Sequence, residues 1–95
     1  MSKQFLAMLN LQNYFTAFIE GYLCATIGER LTTAKVSASE LDNAKRAAEK
    51  YIEFQIDHSD LSAEEKDAKK KDCKLRAEST LQGMKSRLRE SCRLL

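Results

Sequence analysis

The stretch VSASELDNAKRAAEKYIEFQIDHSDLSAEEK, residues 36–66, decides the fold, because it holds two complete helix starts with one helix end between them. Ser37 and Glu40 stand at the S-x-x-E spacing of a capping box, in which the serine hydroxyl accepts from the glutamate's backbone amide and the glutamate side chain reaches back to the serine amide. Val36 and Leu41 occupy the two positions of a hydrophobic staple around that box. Ser62 and Glu65 repeat the capping pattern. The reading is a helix from about Ala38 to Asp57, a break at His58, Ser59 and Asp60, and a further helix from about Ala63 nearly to the C-terminus.

The inward face of the middle helix is expected to be Leu41, Ala44, Ala48, Tyr51, Ile52 and Gln55, with Ala47 and Phe54 at its border. The alanines admit a neighbouring helix closely at one end and favour the helix itself. Tyr51, Ile52 and Phe54 supply bulk at the other.

Working outward to the N-terminus, residues 3–31 read as one long helix. Met8, Leu11, Phe15, Phe18, Tyr22 and Ala25 form one stripe, and Phe5, Leu9, Ile19, Leu23 and Ile27 form a second beside it. Its end is expected at Gly28 or within the polar stretch from Thr32 to Lys35. Residues 1–31 contain fourteen of the large apolar residues (Ile, Leu, Val, Met, Phe, Tyr), against thirteen in the remaining sixty-four. The first helix thus has more apolar surface than the other two need. An uncovered patch of that kind marks an interface, so the helix is expected to pack against a second copy or a partner. The alternative is that it is the central helix of a compact three-helix bundle.

Toward the C-terminus, residues 64–74 read EEKDAKKKDCK, with opposite charges four apart (Glu65 with Lys69, Asp67 with Lys71, Asp72 with Arg76), the pattern of a solvated helix. An apolar stripe begins only at Cys73 and continues through Ala77, Leu81, Met84, Leu88, Cys92 and Leu95. Lys66 and Lys70 occupy the same face one and two turns earlier. The start of this helix is therefore expected to project beyond the core or to meet something polar outside the chain.

Ninety-five residues suit one domain, 1–95. Apolar residues at 43%, no proline and only three glycines indicate an all-α chain. The expected architecture is an antiparallel three-helix domain with long first and third helices, oligomeric or partner-bound. Net charge is +2, but unevenly spread: residues 1–62 carry six Lys/Arg and eight Asp/Glu, a balance of −2, and residues 63–95 carry ten and six, a balance of +4. That polarity is too mild to imply nucleic-acid binding by itself. Polar breaks at Asn10, Gln12, Asn13 and Glu20 argue against a signal peptide or a membrane span. Three cysteines without C-x-x-C spacing fit a reducing compartment, and a cytoplasmic location is expected.

No catalytic inventory is apparent. His58 is the single histidine, the glycines are isolated, and neither a phosphate loop nor a G-x-S-x-G elbow is present. The Cys and His residues lack zinc-ligand spacing, so no metal and no cofactor are expected. His58 sits where an imidazole caps a helix C-terminus; a pH-sensitive contact and a Cys-His dyad with Cys24 or Cys73 are the functional alternatives. Cys92 lies between Arg89 and Arg93, which would favour a reactive thiolate, but it also lies on the apolar stripe, where cysteine acts as a small hydrophobe.

The third helix carries basic borders: Lys69, Lys70, Lys71 and Lys74 early, and Arg76, Lys85, Arg87, Arg89 and Arg93 later. No aromatic residue follows Phe54, so a stacking platform for single strands is missing. The mostly charged start of this helix also lacks the side chains with which a recognition helix reads bases. The expectation is a non-enzymatic protein that binds a larger protein or complex and modulates it as an inhibitor or adaptor, with no membrane and no small-molecule substrate. Tyr14, Phe18, Tyr22, Lys69, Lys70, Lys71, Lys74, Arg87 and Arg89 are its expected contacts, since aromatics and arginine dominate binding hot spots. A small nucleic-acid-binding regulator using the basic helix is the alternative.

Overall fold

The computed structural model describes residues 3–27, 36–91 and 94, without the side chains of Lys3, Phe5, Ala7 and Ile27. Among these residues a short α1 (Lys3–Met8) precedes three long helices, α2 (Leu11–Ile27), α3 (Ala38–Asp57) and α4 (Ala63–Glu90). The three long helices pack against one another in every pairing, forming an elongated body of 44 × 21 × 20 Å. The all-α, three-helix reading is thereby met.

Both capping boxes close. The Glu40 amide donates to Ser37 Oγ at 3.2 Å and the Ser37 amide donates to Glu40 Oε2 at 3.3 Å. Glu65 and Ser62 make the same two bonds at 3.2 and 3.3 Å. The staple forms as well, with Val36 and Leu41 fully buried in one cluster. These local signals place the starts of α3 and α4 at the residues anticipated.

The single first helix is corrected to two. Asparagine offers the backbone an alternative to the helical ladder, and Asn10 does so here: its Oδ1 accepts from the Asn13 amide at 3.1 Å, while its carbonyl accepts from Tyr14 at 2.9 Å. The chain breaks at Leu9 and Asn10, and α2 begins afresh. Leu6 is then buried beside Leu11 and Phe15, whereas Met8 is 79% exposed. The buried row of α2 is Leu11, Phe15, Ile19 and Leu23, drawn from both expected stripes, and Ala25 faces solvent. The anticipated helix end between Gly28 and Lys35 lies outside the described residues.

On α3 the buried row is Leu41, Ala44, Ala48, Ile52 and Ile56. Steps of four residues drift about 40° around a helix per step, which carries the row onto Ile56 and away from Tyr51, Phe54 and Gln55. Tyr51 and Phe54 are exposed, and Gln55 is half-buried.

Two clusters make the core. In the first, Leu6, Leu11 and Phe15 meet Ala48, Ile52, Ile56, Cys73 and Ala77. In the second, Ile19 and Leu23 meet Val36, Leu41, Ala44, Leu81 and Met84. The start of α2 thus contacts the end of α3, and its end contacts the start of α3. Burial pushes the Cys73 thiol up to about 11, so this cysteine is a core hydrophobe. At the other end of the domain, Leu94 forms an isolated parallel bridge with Val36, and its amide donates to the Leu88 carbonyl at 3.3 Å.

The early, charged turns of α4, expected to project beyond the core or to meet something polar outside the chain, instead contact the C-terminus of α3 within the chain. Lys66 Nζ donates to the Asp57 carbonyl at 3.0 Å and Lys70 pairs with the Asp57 carboxylate at 2.5 Å. A helix end leaves carbonyls without intrahelical partners and carries partial negative charge, so the two lysines extend the apolar stripe in polar form. Cys92 and Leu95, the last expected members of that stripe, lie outside the described residues.

Candidate functional site

The seam between α2 and α3 carries an aromatic ladder. Tyr14 is half-buried; its hydroxyl donates to the Ala48 carbonyl at 2.9 Å, and its ring packs edge-on against Phe15 at 5.0 Å. Phe18 lies 5.9 Å from Tyr14 and 6.0 Å from Tyr51 across the seam. One turn along α3, Phe54 stacks on His58 with ring centroids 4.1 Å apart. Desolvation, helped by Tyr51 and then Cys73, raises the Tyr14 pKa well above the ordinary phenol value, so the hydroxyl remains a donor across the working pH range. The inner rungs are tied to the core. The outer ones, Tyr51 at 51% and Phe54 at 56% exposure, are open.

The cations anticipated as contacts divide among different faces. Lys70 is held by Asp57, whose hydrogen bond raises the lysine pKa and lowers that of the carboxyl. It is therefore part of the scaffold. Lys71, Lys74 and Arg89 are exposed. Lys69 lines a cleft of about 390 Å³ between α2 and α4, together with Asn10, Gln12, Asp72 and Arg76. Arg87 lines an adjoining cleft of about 60 Å³, with Gln12, Thr16, Arg76 and Thr80. Tyr14 and Phe18 face α3, and Tyr22 packs against the second core cluster. The nine anticipated residues consequently do not form one surface.

Sequence reasoning placed Tyr51 inside and Phe54 at its border, and so missed the open end of the ladder. The signal was available: Tyr51, Phe54 and His58 fall at spacings of three and four beside the alanine row. Arg76 was read as a helix-border residue; the structure puts it at the junction of two clefts.

His58 caps α3. Its amide donates to the Phe54 carbonyl at 3.1 Å, and Nδ1 lies 2.9 Å from the same oxygen. Among the described residues, no group of three or more His, Cys, Asp or Glu is arranged to hold a metal ion, and no helix is long and apolar enough to cross a membrane. Cys24 is exposed and Cys73 buried, while Cys92 lies outside the described residues. Compared with protein-family models, curated proteins and solved structures, the chain has no significant match.

Proposed function

We propose that this chain is a non-catalytic protein-binding domain that attaches to a larger protein or complex in the cytoplasm and modulates it by covering a site. The observation that carries the reading is the uncovered outer end of the aromatic ladder, where Tyr51 and Phe54 stand exposed on a well-packed helix beside the half-buried Phe18. Aromatic side chains on rigid elements supply large contact area at low entropic cost, and they recur in interface hot spots. In this reading the three long helices form an antiparallel bundle whose α2–α3 face is the docking side. A second copy of the chain is the alternative occupant of that face.

The test is retention of proteins from native lysate on the tagged chain, with and without nuclease, beside a Tyr51→Ser/Phe54→Ser variant. A stoichiometric protein that survives nuclease and is lost with the variant is the expected result. Retention unchanged by the variant removes the aromatic face from the reading. The second reading, a nucleic-acid-binding regulator, draws on the exposed Lys71, Lys74 and Arg76 of α4. It requires that nuclease release whatever is bound, and that binding weaken by orders of magnitude over a roughly fourfold rise in salt. Light scattering separates the self-association alternative from both.

A further inference from the structure

Apart from Lys71, Lys74 and Arg89, which are exposed, the cations of α4 fall into two sets. Those turned to α3 all find acceptors: Lys85 reaches Asp42 at 3.8 Å, Lys70 reaches Asp57, and Lys66 reaches the Asp57 carbonyl. In the same seam Glu78 of α4 takes Lys45 of α3 at 2.9 Å. Those turned to α2 are Lys69, Arg76 and Arg87, and none of them makes an ion pair among the described residues. On the opposite wall α2 lines the clefts with Gln12 and Thr16, while its Glu20, one turn beyond Thr16, lines neither. The cationic flank also differs in kind. It carries arginines, whose planar fork pairs bidentately with carboxylates, where the α3 side uses lysines.

We propose that this groove between α2 and α4 receives an acidic helical segment of a partner protein, its carboxylates pairing with Lys69, Arg76 and Arg87. The inference rests on the reading of the chain as a protein-binding domain and names the chemistry of one partner surface. Successive cations stand seven and eleven residues apart on one helix flank, or about 10 and 17 Å of rise. Those are two and three helical turns, so an α-helix lying alongside α4 matches all three. A nucleic-acid strand presents a charge about every 3.4 Å and finds no aromatic side chain lining either cleft on which a base could stack. Gly83 lines the narrower cleft, where an added Cβ would meet nothing within 4 Å.

The experiment is a fluorescence-anisotropy titration of the full chain with an alanine-rich helical peptide bearing glutamates at separations of seven and eleven, beside the same peptide with glutamines. The glutamate peptide binds and the glutamine peptide binds at least about tenfold more weakly, as expected when charge-assisted pairs are lost. Arg76→Gln/Arg87→Gln weakens the glutamate peptide by a similar factor. Lys71→Gln and Arg89→Gln, which lie outside the clefts, leave it unchanged. Equal binding of both peptides, no binding of either, indifference to the double variant, or displacement by a single-stranded oligonucleotide at lower concentration than by unlabelled peptide would each overturn the proposal. Tyr51→Ser/Phe54→Ser is run in parallel. It leaves peptide affinity unchanged, so a failed groove and a failed aromatic face give different results.

Discussion

The two seams flanking α4 solve the same packing problem with opposite electrostatics. Toward α3, alanines bring the helices together and the rim closes with Asp42–Lys85, Lys45–Glu78 and Asp57–Lys70, whose partners ascend on one helix as they descend on the other. Toward α2, the core closes equally well through Phe15 and Ile19, yet the rim stays open and positive. Exposed ion pairs contribute little to stability, about 0–1 kcal/mol each. The comparison therefore bears on specificity: one rim is satisfied by the chain itself, and the other holds the cations with which the proposed acidic segment would pair.

The largest effect expected comes from breaking what the seams share. Phe15 is fully buried where α2 meets both neighbours, so Phe15→Ala is expected to cost about 3–5 kcal/mol, read from urea unfolding followed by circular dichroism. A loss under about 1 kcal/mol would mean that α2 is not joined to the core as described. Next in size are the caps: Ser37→Ala and Ser62→Ala each remove a hydroxyl acceptor and are expected to cost about 1 kcal/mol.

The closed rim also sets a pH signature. The Glu78 carboxyl is held below its ordinary value by its hydrogen bonds to Lys45 and then Gln82, and Asp57 is lowered by Lys70. A depressed carboxyl stabilises the fold at pH values above its unfolded pKa, and that contribution is lost as pH falls through the folded value. The urea midpoint is expected to drop on acidification below about pH 4.5, and to drop less in Glu78→Gln. Cys73 acts in the other direction. Its folded pKa is raised, so its contribution is complete below about pH 9 and declines as pH climbs toward about 11. Stability should therefore fall on the alkaline side as well, with Cys24 alkylated in the native protein and Cys73 only after unfolding.

The smallest effect sharpens the comparison most. Gln12→Glu gives the α2 wall the acid it lacks opposite Arg76 and Lys69, making that rim resemble the other. A gain of about 0.2–1 kcal/mol is expected, accompanied by loss of acidic-peptide binding. An unchanged peptide affinity would show that the groove's open charge is not what the peptide reads.

Much of the fold was legible because it is written locally. A capping box involves four residues, and both boxes closed at the positions where the spelling put them. The break at Asn10 was less legible: the apolar periodicity runs straight through it, and only the side-chain capping bond reveals that the helix restarts. The site was legible in its composition and not in its arrangement. Which aromatics are buried depends on the drift of the α3 row, and which lysines are consumed depends on where α3 ends relative to α4. Neither is a property of one helix. Lys70 and Lys71 are neighbours in sequence with identical chemistry, yet Asp57 takes one and solvent the other.

The short connection between Asp57 and Ala63, with Lys66 and Lys70 returning at once to the end it leaves, has a consequence for how the chain assembles. Closing a loop this short costs little entropy, and contacts near in sequence form early. The α3–α4 hairpin is then expected to be the nucleus, with α2 docking afterwards onto a surface already formed. Ile52→Val should slow folding, whereas Ile19→Val should chiefly speed unfolding, a division that stopped-flow measurements on the two variants would resolve. A chain that assembles in this order presents its arginine flank to the surroundings before its own second helix arrives, so the groove's two walls meet last.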